Sequence, residues 1–382
     1  MVGTGRTDEK ETDMTTTTSS TTTSQSTARP AGSANQGPAN QGPAPALADQ
    51  AGALLGHVAG YMATRVVQIG LGSGLVRELA AGDGATPEEL ADRLGIDPFY
   101  VQVWCRAAFG SGVLERQGQG YVLAPHVATL LLDESSPAHV GGMFGVVGMP
   151  EMFDRFGESL RSGRRLWWDG TSPEWIAAVE GTGRPFYTRL VPGGLAQVPG
   201  LAEVLAGPCR ILDTACGAGV GVVRLATAYP RARVVGVDGD QRSVERARAA
   251  VARTEASVRE RVRLVVSPLE ELVVDEPVDL VVNNISMHEC RDIDAVTERV
   301  LQSLRPGGWF VISDFPFPET DEGLRSVPGR LMSGVQLFEA QIDDQLLPRA
   351  AYDDLLARHG FTGLGWFQLS PVHAVTYGRR PA

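Results

Sequence analysis

Two acidic residues, Asp213 and Asp238, stand 25 positions apart, each at the end of an apolar run, and the first opens into a glycine-rich loop. The stretch reads Ile211-Leu212-Asp213-Thr214-Ala215-Cys216-Gly217-Ala218-Gly219-Val220-Gly221, then a helix-like segment from Val222 to Tyr229, then Val234-Val235-Gly236-Val237-Asp238. This is the pattern of a β-loop-α-β unit whose glycines let a ligand reach the backbone, because they carry no Cβ. A carboxylate at the second strand end can accept both hydroxyls of a ribose. The residues therefore point to a nucleoside-containing ligand. The spacing G-x-G-x-G departs from the G-x-G-x-x-G that aims a helix N-terminus at a pyrophosphate. Asp213 would repel a pyrophosphate, whereas it suits an amino group, held directly or through water.

A second candidate group follows the apolar run Val278 to Asn284: Asn283-Asn284-Ile285-Ser286-Met287-His288-Glu289-Cys290. Open α/β sheets bind ligands at the carboxyl edge of their strands, where a histidine can take a proton from a nucleophile. The alternative role for His288 is to cap the next helix or order the loop. His57, His126, His139, His359 and His373 occupy less suggestive places. His288 and Glu289 could ligate a cation with Asp314 or with Asp343 and Asp344, but no two of these have the spacing of a helical ligand pair, so no metal is expected.

Three further stretches set the order of elements. Arg263 to Ser267 reads as a strand, Val278 to Asn284 as the next, and Leu304-Arg305-Pro306-Gly307-Gly308 as a helix end turning into the strand Trp309 to Asp314. Over about 205 to 382 this order resembles class I S-adenosylmethionine-dependent methyltransferases. The resemblance implies an α/β fold, a Rossmann-like seven-stranded methyltransferase sheet, with Phe361 to Tyr377 as its antiparallel sixth and seventh strands joined at Ser370-Pro371. It implies S-adenosyl-L-methionine as cofactor, held by Asp213, Ala215, Gly217, Gly219, Gly221, Asp238, Gly239, Ser267, Leu269 and Asn283. Relatives usually carry an acid after the third strand for the adenine amino group. Here the residues are Ser267-Pro268-Leu269-Glu270, so Ser267 is expected to accept that bond and Leu269 to cover the ring, unless Glu270 merely complements a helix dipole. In similar plant O-methyltransferases the histidine matching His288 deprotonates a phenol, which implies His288 and Glu289 as the catalytic pair.

The remaining chain must present an acceptor to that site. At 382 residues it can bury two cores. Residues 1–45, rich in Thr and with a repeated Asn-Gln-Gly-Pro, lack apolar content and are expected to be disordered, with no signal peptide and no apolar run of membrane length. Four dispersed cysteines suggest reduced thiols and a cytoplasmic setting. Net charge is −11 with Lys10 as the one lysine, which opposes nonspecific nucleic-acid binding.

Residues 46–125 read as apolar helices over Leu47 to Leu79, a capped helix at Thr86-Pro87-Glu88-Glu89, another at Asp97-Pro98, and a hairpin around Gly118, which is a winged-helix arrangement. Its second helix offers Phe99, Tyr100, Val101, Trp104 and Cys105 with Arg106 as its one base, unsuited to reading DNA. Similar methyltransferases use such a domain to dimerise, so a homodimer is expected. Residues 126–204 are expected to be a helical connector and lid, with Met149, Phe153, Phe156, Trp167 and Trp168, together with Met287, around the acceptor. The expected reaction is methylation of a small, largely apolar or aromatic molecule in secondary metabolism, at oxygen first and at carbon or nitrogen second. A nicotinamide oxidoreductase is disfavoured by the glycine spacing, and a winged-helix ligand-sensing regulator by the acidic charge.

Overall fold

A computed structural model of the chain describes residues 44–166 and 168–382. Most of the expected disordered tail and Trp167 lie outside the described residues. Two compact units divide inside the first helix, one ending at Leu54 and the other running from Leu55 to Ala382.

Helix α1 (Leu47–Gly72) and helix α2 (Leu75–Ala80) are separated by Gly74 in the left-handed region. The sequence signals for the next two helices act as their chemistry suggests. Thr86 Oγ1 accepts from the Glu89 N–H at 3.3 Å and the Thr86 N–H donates back to Glu89 at 2.8 Å, a reciprocal cap for α3 (Pro87–Leu94). Asp97 caps α4 (Pro98–Gly110) by accepting from the N–H groups of Phe99 and Tyr100. Strands β1 (Leu114–Gln117) and β2 (Gly120–Leu123) form the expected antiparallel hairpin. Leu90, Val101, Cys105 and Ala108 bury the α3–α4 face, while Trp104 packs there and donates its indole N–H to the Val66 carbonyl at 2.9 Å. Val58, Tyr61, Met62, Phe99 and Tyr100 stay exposed.

Helices α5 (Val127–Leu132), α6 (Gly141–Val146) and α7 (Pro150–Ser159) lead to the long helix α8 (Pro173–Arg189), which Ser172 caps by accepting from the Trp175 N–H. Trp175 is fully buried 4.3 Å from Phe338. Helix α9 (Leu201–Ala206) then delivers the chain to the large sheet.

That sheet is built from β3 (Cys209–Thr214), α10 (Val220–Ala228), β4 (Ala232–Asp238), α11 (Gln241–Ala252), α12 (Ala256–Arg259), β5 (Val262–Val266), β6 (Val278–Asn284), α13 (Ile293–Ser303) and β7 (Leu304–Asp314). Helices α14 (Asp321–Arg325), α15 (Val327–Glu339) and α16 (Arg349–Arg358) precede β8 (Thr362–Ser370) and β9 (His373–Arg379). The seven strands run in the order β5-β4-β3-β6-β7-β9-β8. The two terminal strands form the expected antiparallel pair. Strand β9 pairs antiparallel with both β7 and β8, so β8 runs with the parallel strands and β9 alone is reversed. The Pro306-Gly307-Gly308 turn differs from the expectation: β7 already pairs at Leu304 with Val278, and Gly307, at φ 74°, lies in an irregularity inside the strand. Among the described residues no helix is long and apolar enough to cross a membrane. Cys105, Cys209 and Cys216 are free and buried, and Cys290 is free and half-buried.

Strand β4 carries Asp238 to the sheet edge, and α10 packs directly over Gly236. A Cβ at Gly236 would meet Val222 at 2.6 Å and Cys216 and Leu264 at 2.9 Å. Gly236→Ala is therefore expected to destabilise the protein by about 1–3 kcal/mol, measured by urea unfolding, through forced displacement of packed side chains.

Candidate active site

A cleft of about 470 Å³ opens at the carboxyl edge of β3, β4 and β6. Its floor is the loop after β3, where Ala215 (φ 57°), Gly217 (φ 51°) and Gly219 (φ 87°) take left-handed conformations. Of the expected cofactor residues, Ala215, Gly217, Asp238, Gly239 and Leu269 line the cleft. Asp238 accepts from the Gly217 N–H at 2.8 Å and the Asp240 N–H at 2.9 Å, one on each oxygen. Burial raises its carboxyl, and these two backbone bonds counteract that rise. Each oxygen keeps lone-pair capacity for a ribose hydroxyl.

Asp213 lies beneath the loop, fully buried, with Tyr187 of α8 donating to Oδ1 at 2.7 Å and Oδ2 left without a hydrogen-bond partner. Burial raises its carboxyl to about 7, opposed by the Tyr187 bond and reinforced by nearby Asp238. A cation such as an ammonium would satisfy Oδ2 and return the group to its ionised form. The chain thus offers a diol acceptor and an unsatisfied buried carboxylate oxygen, which fit the ribose and amino ends of S-adenosylmethionine.

Four other expected cofactor residues serve differently. Gly219 makes room for Ala247, since a Cβ there would approach it to 2.9 Å. Gly221 sits where a side chain would strike both Asp213 Oδ2 and the Tyr187 ring. Both glycines permit packing and neither lines the cleft. Asn283 turns away, donating to Thr214 and accepting from Ser286, and its neighbour Asn284 lines the cleft in its place. Ser267 spends its hydroxyl on the Pro268 carbonyl, leaving Pro268 and Leu269 to form that wall.

The expected acceptor residues scatter. Trp168 lines the cleft, edge-on to Phe338 at 5.7 Å. Met149 packs into the small apolar core around Trp175, Phe153 is exposed, Phe156 is half-buried outside the cleft lining, and Met287 is fully buried in the sheet core. The wall that sequence reading missed is α8: Ile176, Val179, Glu180, Gly183, Arg184 and Tyr187. Their 3–4-residue spacing along a capped helix was an available signal.

His288 is buried and is absent from the cleft lining, whereas its neighbour Glu289 lines it. The expected His288–Glu289 partnership gives way to a different one. His288 Nδ1 donates to Asp314 Oδ2 at 2.9 Å, Tyr352 donates to the same oxygen at 2.6 Å, and His288 Nε2 faces Glu339 at 3.8 Å. Neither His288 Nε2 nor the facing Glu339 Oε2 has a hydrogen-bond partner. Burial by itself would depress the imidazole, but Asp314, then Glu339 and Glu289, outweigh it and raise it to about 10. Glu339 is pushed up to about 7 by burial, against the pull of His288. Glu289 is raised by burial and by Glu339. One atom from each of His288, Glu289 and Glu339 lies within 4.8 Å of the others, close enough to hold a cation, a grouping the sequence spacing concealed.

Residues 211–308 match the family model described as a methyltransferase domain. A trans-aconitate 2-methyltransferase from Azoarcus sp. (strain BH72) is 30% identical over 175 residues, covering 45% of this chain and 63% of the relative. A ubiquinone/menaquinone biosynthesis C-methyltransferase from Syntrophotalea carbinolica is 34% identical over 125 residues, covering 32% of this chain and 50% of the relative. The chain thus spans between half and two thirds of the length of these relatives. Among solved structures, the apo S-adenosylmethionine-dependent methyltransferase SibL aligns with a TM-score of 0.61 at 22% identity, over 86% of this chain and 99% of that one. PigF with SAH aligns at 0.67 and 15%, over 86% and 99%. The chain shares the fold of these solved methyltransferase structures, and residues 211–308, which carry the strand-edge loop and Asp238, are the segment that matches the methyltransferase domain.

Asp238→Ala removes an acceptor for the ribose diol and two bonds that shape the loop. Calorimetry with S-adenosylhomocysteine should show a loss of about 1.5–3 kcal/mol in binding. An unchanged affinity would separate Asp238 from the cofactor.

Proposed function

We propose that this protein transfers a methyl group to a small, largely apolar or aromatic acceptor, at an oxygen in preference to carbon or nitrogen. The observation that carries the reading is the imidazole of His288. It is locked at Nδ1 by Asp314 and left at Nε2 without a hydrogen-bond partner, near the wall of a cleft with matching cofactor residues.

The cofactor supplies an electrophilic methyl on a sulfonium. The protein's part is to align the acceptor, exclude water and accept a proton where the nucleophile carries one. Apolar support for an acceptor comes from Ile176, Val179 and Trp168 on one side and Ile285 on the other. Nδ1–H donation to Asp314 puts the free lone pair of neutral His288 on Nε2, the atom that takes the proton. Tyr352 holds Asp314 in place from the far side. Glu339 stabilises the imidazolium that proton transfer produces. The titration belongs to the whole group of His288, Asp314, Glu339, Glu289 and Asp344.

His288→Ala is expected to lower kcat for a hydroxylated acceptor by about 10²–10⁴ while cofactor affinity stays nearly intact. A nearly unchanged rate would assign transfer to alignment alone. Because the surrounding carboxylates raise the imidazole, it must lose its resting proton before acting, so kcat/KM should climb with pH along a limb above the ordinary histidine range. Glu339→Gln removes a negative charge that favours the imidazolium and should move that limb to lower pH. A pH–rate profile of both proteins checks the sign.

The same three ligand atoms support a second reading, in which a divalent cation occupies His288, Glu289 and Glu339. Dialysis against EDTA distinguishes the two, since full activity afterwards removes the metal and complete loss restored by one added cation establishes it.

The exposed apolar residues Val58, Tyr61, Met62, Phe99 and Tyr100 support a homodimer through the amino-terminal helices, read as a winged-helix domain. Met62→Glu should convert a dimer to a monomer in light scattering, and a wild-type monomer at micromolar concentration would refute the assembly.

A further inference from the structure

Two buried atoms without hydrogen-bond partners face each other inside the protein, His288 Nε2 and Glu339 Oε2, 3.8 Å apart. His288 is 6% exposed and Glu339 4%. Glu289 lines the cleft, and one atom from each of the three residues lies within 4.8 Å of the others. The cluster thus runs from the cleft lining at Glu289 to two side chains removed from solvent. Asp314, which also bears on His288, is already answered by the Nδ1–H and by the Tyr352 hydroxyl. Glu339 Oε2 has no such answer. Two carboxylates this close, out of water, call for a positive charge between them.

The spacing decides what form that charge takes. A nitrogen that donates at about 2.8–3.0 Å along tetrahedral directions holds its acceptors about 4.6–4.9 Å apart. A metal ion with ligands at about 2.1 Å holds them about 3.4 Å apart or closer. The 3.8 Å separation of His288 and Glu339 already exceeds the metal spacing, and a nitrogen spans the whole triangle without drawing its corners together. The neighbouring wall is aromatic. Trp168 lines the cleft edge-on to Phe338, the residue before Glu339, at 5.7 Å. Acidic oxygens and aromatic surface therefore stand close together.

We infer that Glu289 and Glu339 bind an ammonium carried by the acceptor, next to the hydroxyl whose proton His288 Nε2 takes. This deepens the acceptor assignment and rests on His288 as the base. An acceptor without the ammonium leaves both carboxylates unpaired and is disfavoured for that reason. Glu289 and Glu339 are binding residues that set specificity.

The full chain, dialysed against EDTA and saturated with S-adenosylhomocysteine, is titrated by calorimetry with two probes. One is 2-(aminomethyl)phenol, cationic at neutral pH, and the other is 2-(hydroxymethyl)phenol, its neutral isostere. The wild type should bind the cationic probe at least about tenfold more tightly, the return on charge-assisted bonds to carboxylates. Glu289→Gln and Glu339→Gln should each remove most of that preference, with little change for the neutral probe. Equal affinities in the wild type, no binding of either probe, or a preference that survives both substitutions would overturn the inference. Preference for the neutral probe, strengthened by added magnesium, would overturn it in favour of a metal ion. A cationic preference without methyl transfer to the phenol oxygen, once S-adenosylmethionine replaces S-adenosylhomocysteine, would instead overturn His288 as the base for a hydroxyl and leave the ammonium site standing.

Discussion

Parallel strands that end in a cleft bring polar side chains out of water together, and the desolvation of those side chains organises the rest of this molecule. Asp213 on β3, Asp238 on β4, Asn284 on β6 and Asp314 on β7 all sit at the carboxyl edge. A carboxylate or amide buried there must find donors or acceptors, or carry a large penalty. Tyr187 on α8 answers Asp213, backbone N–H groups answer Asp238, and His288 with Tyr352 of α16 answers Asp314. Each answer ties a helix or loop to a strand end. The polar network thereby ties α8, which walls the cleft, and α16 to the ends of the strands.

The satisfaction is incomplete at chosen atoms. Asp213 Oδ2, Asn284 Nδ2 and His288 Nε2 are buried without hydrogen-bond partners, although neighbouring atoms of the same side chains are bonded. Folding alone gains nothing from such atoms. Holding one end of a side chain while leaving the other open preorganises it for a ligand or a proton, which is how a binding site recovers the penalty.

The local signals in the chain were legible. The caps at Thr86 and Asp97, the hairpin around Gly118, the strand Val278–Asn284 and the strand-end acids all occupy their expected places, because each rests on interactions within a few residues. Side-chain orientation at the site was less so. Asn283 was favoured over Asn284, yet alternation along β6 turns one toward Thr214 and the other toward Ser313. His288 was paired with its neighbour Glu289, whereas its partners Asp314 and Glu339 lie 26 and 51 positions away.

By itself the sequence determined the β-loop-α-β unit, the strand order implied by its family resemblance, and the acids at the strand ends, since hydrophobic period and backbone permissiveness are written residue by residue. The tertiary structure alone decided which groups share a proton, which glycines make room for packing, and which helix walls the cleft. It also decided that β8 runs with the parallel strands while β9 alone is reversed. Those outcomes depend on contacts between residues tens to hundreds of positions apart, such as Arg189 with His373 and Tyr352 with Asp314. Their distances are set by how helices lie on the sheet, and no local pattern in the chain encodes them.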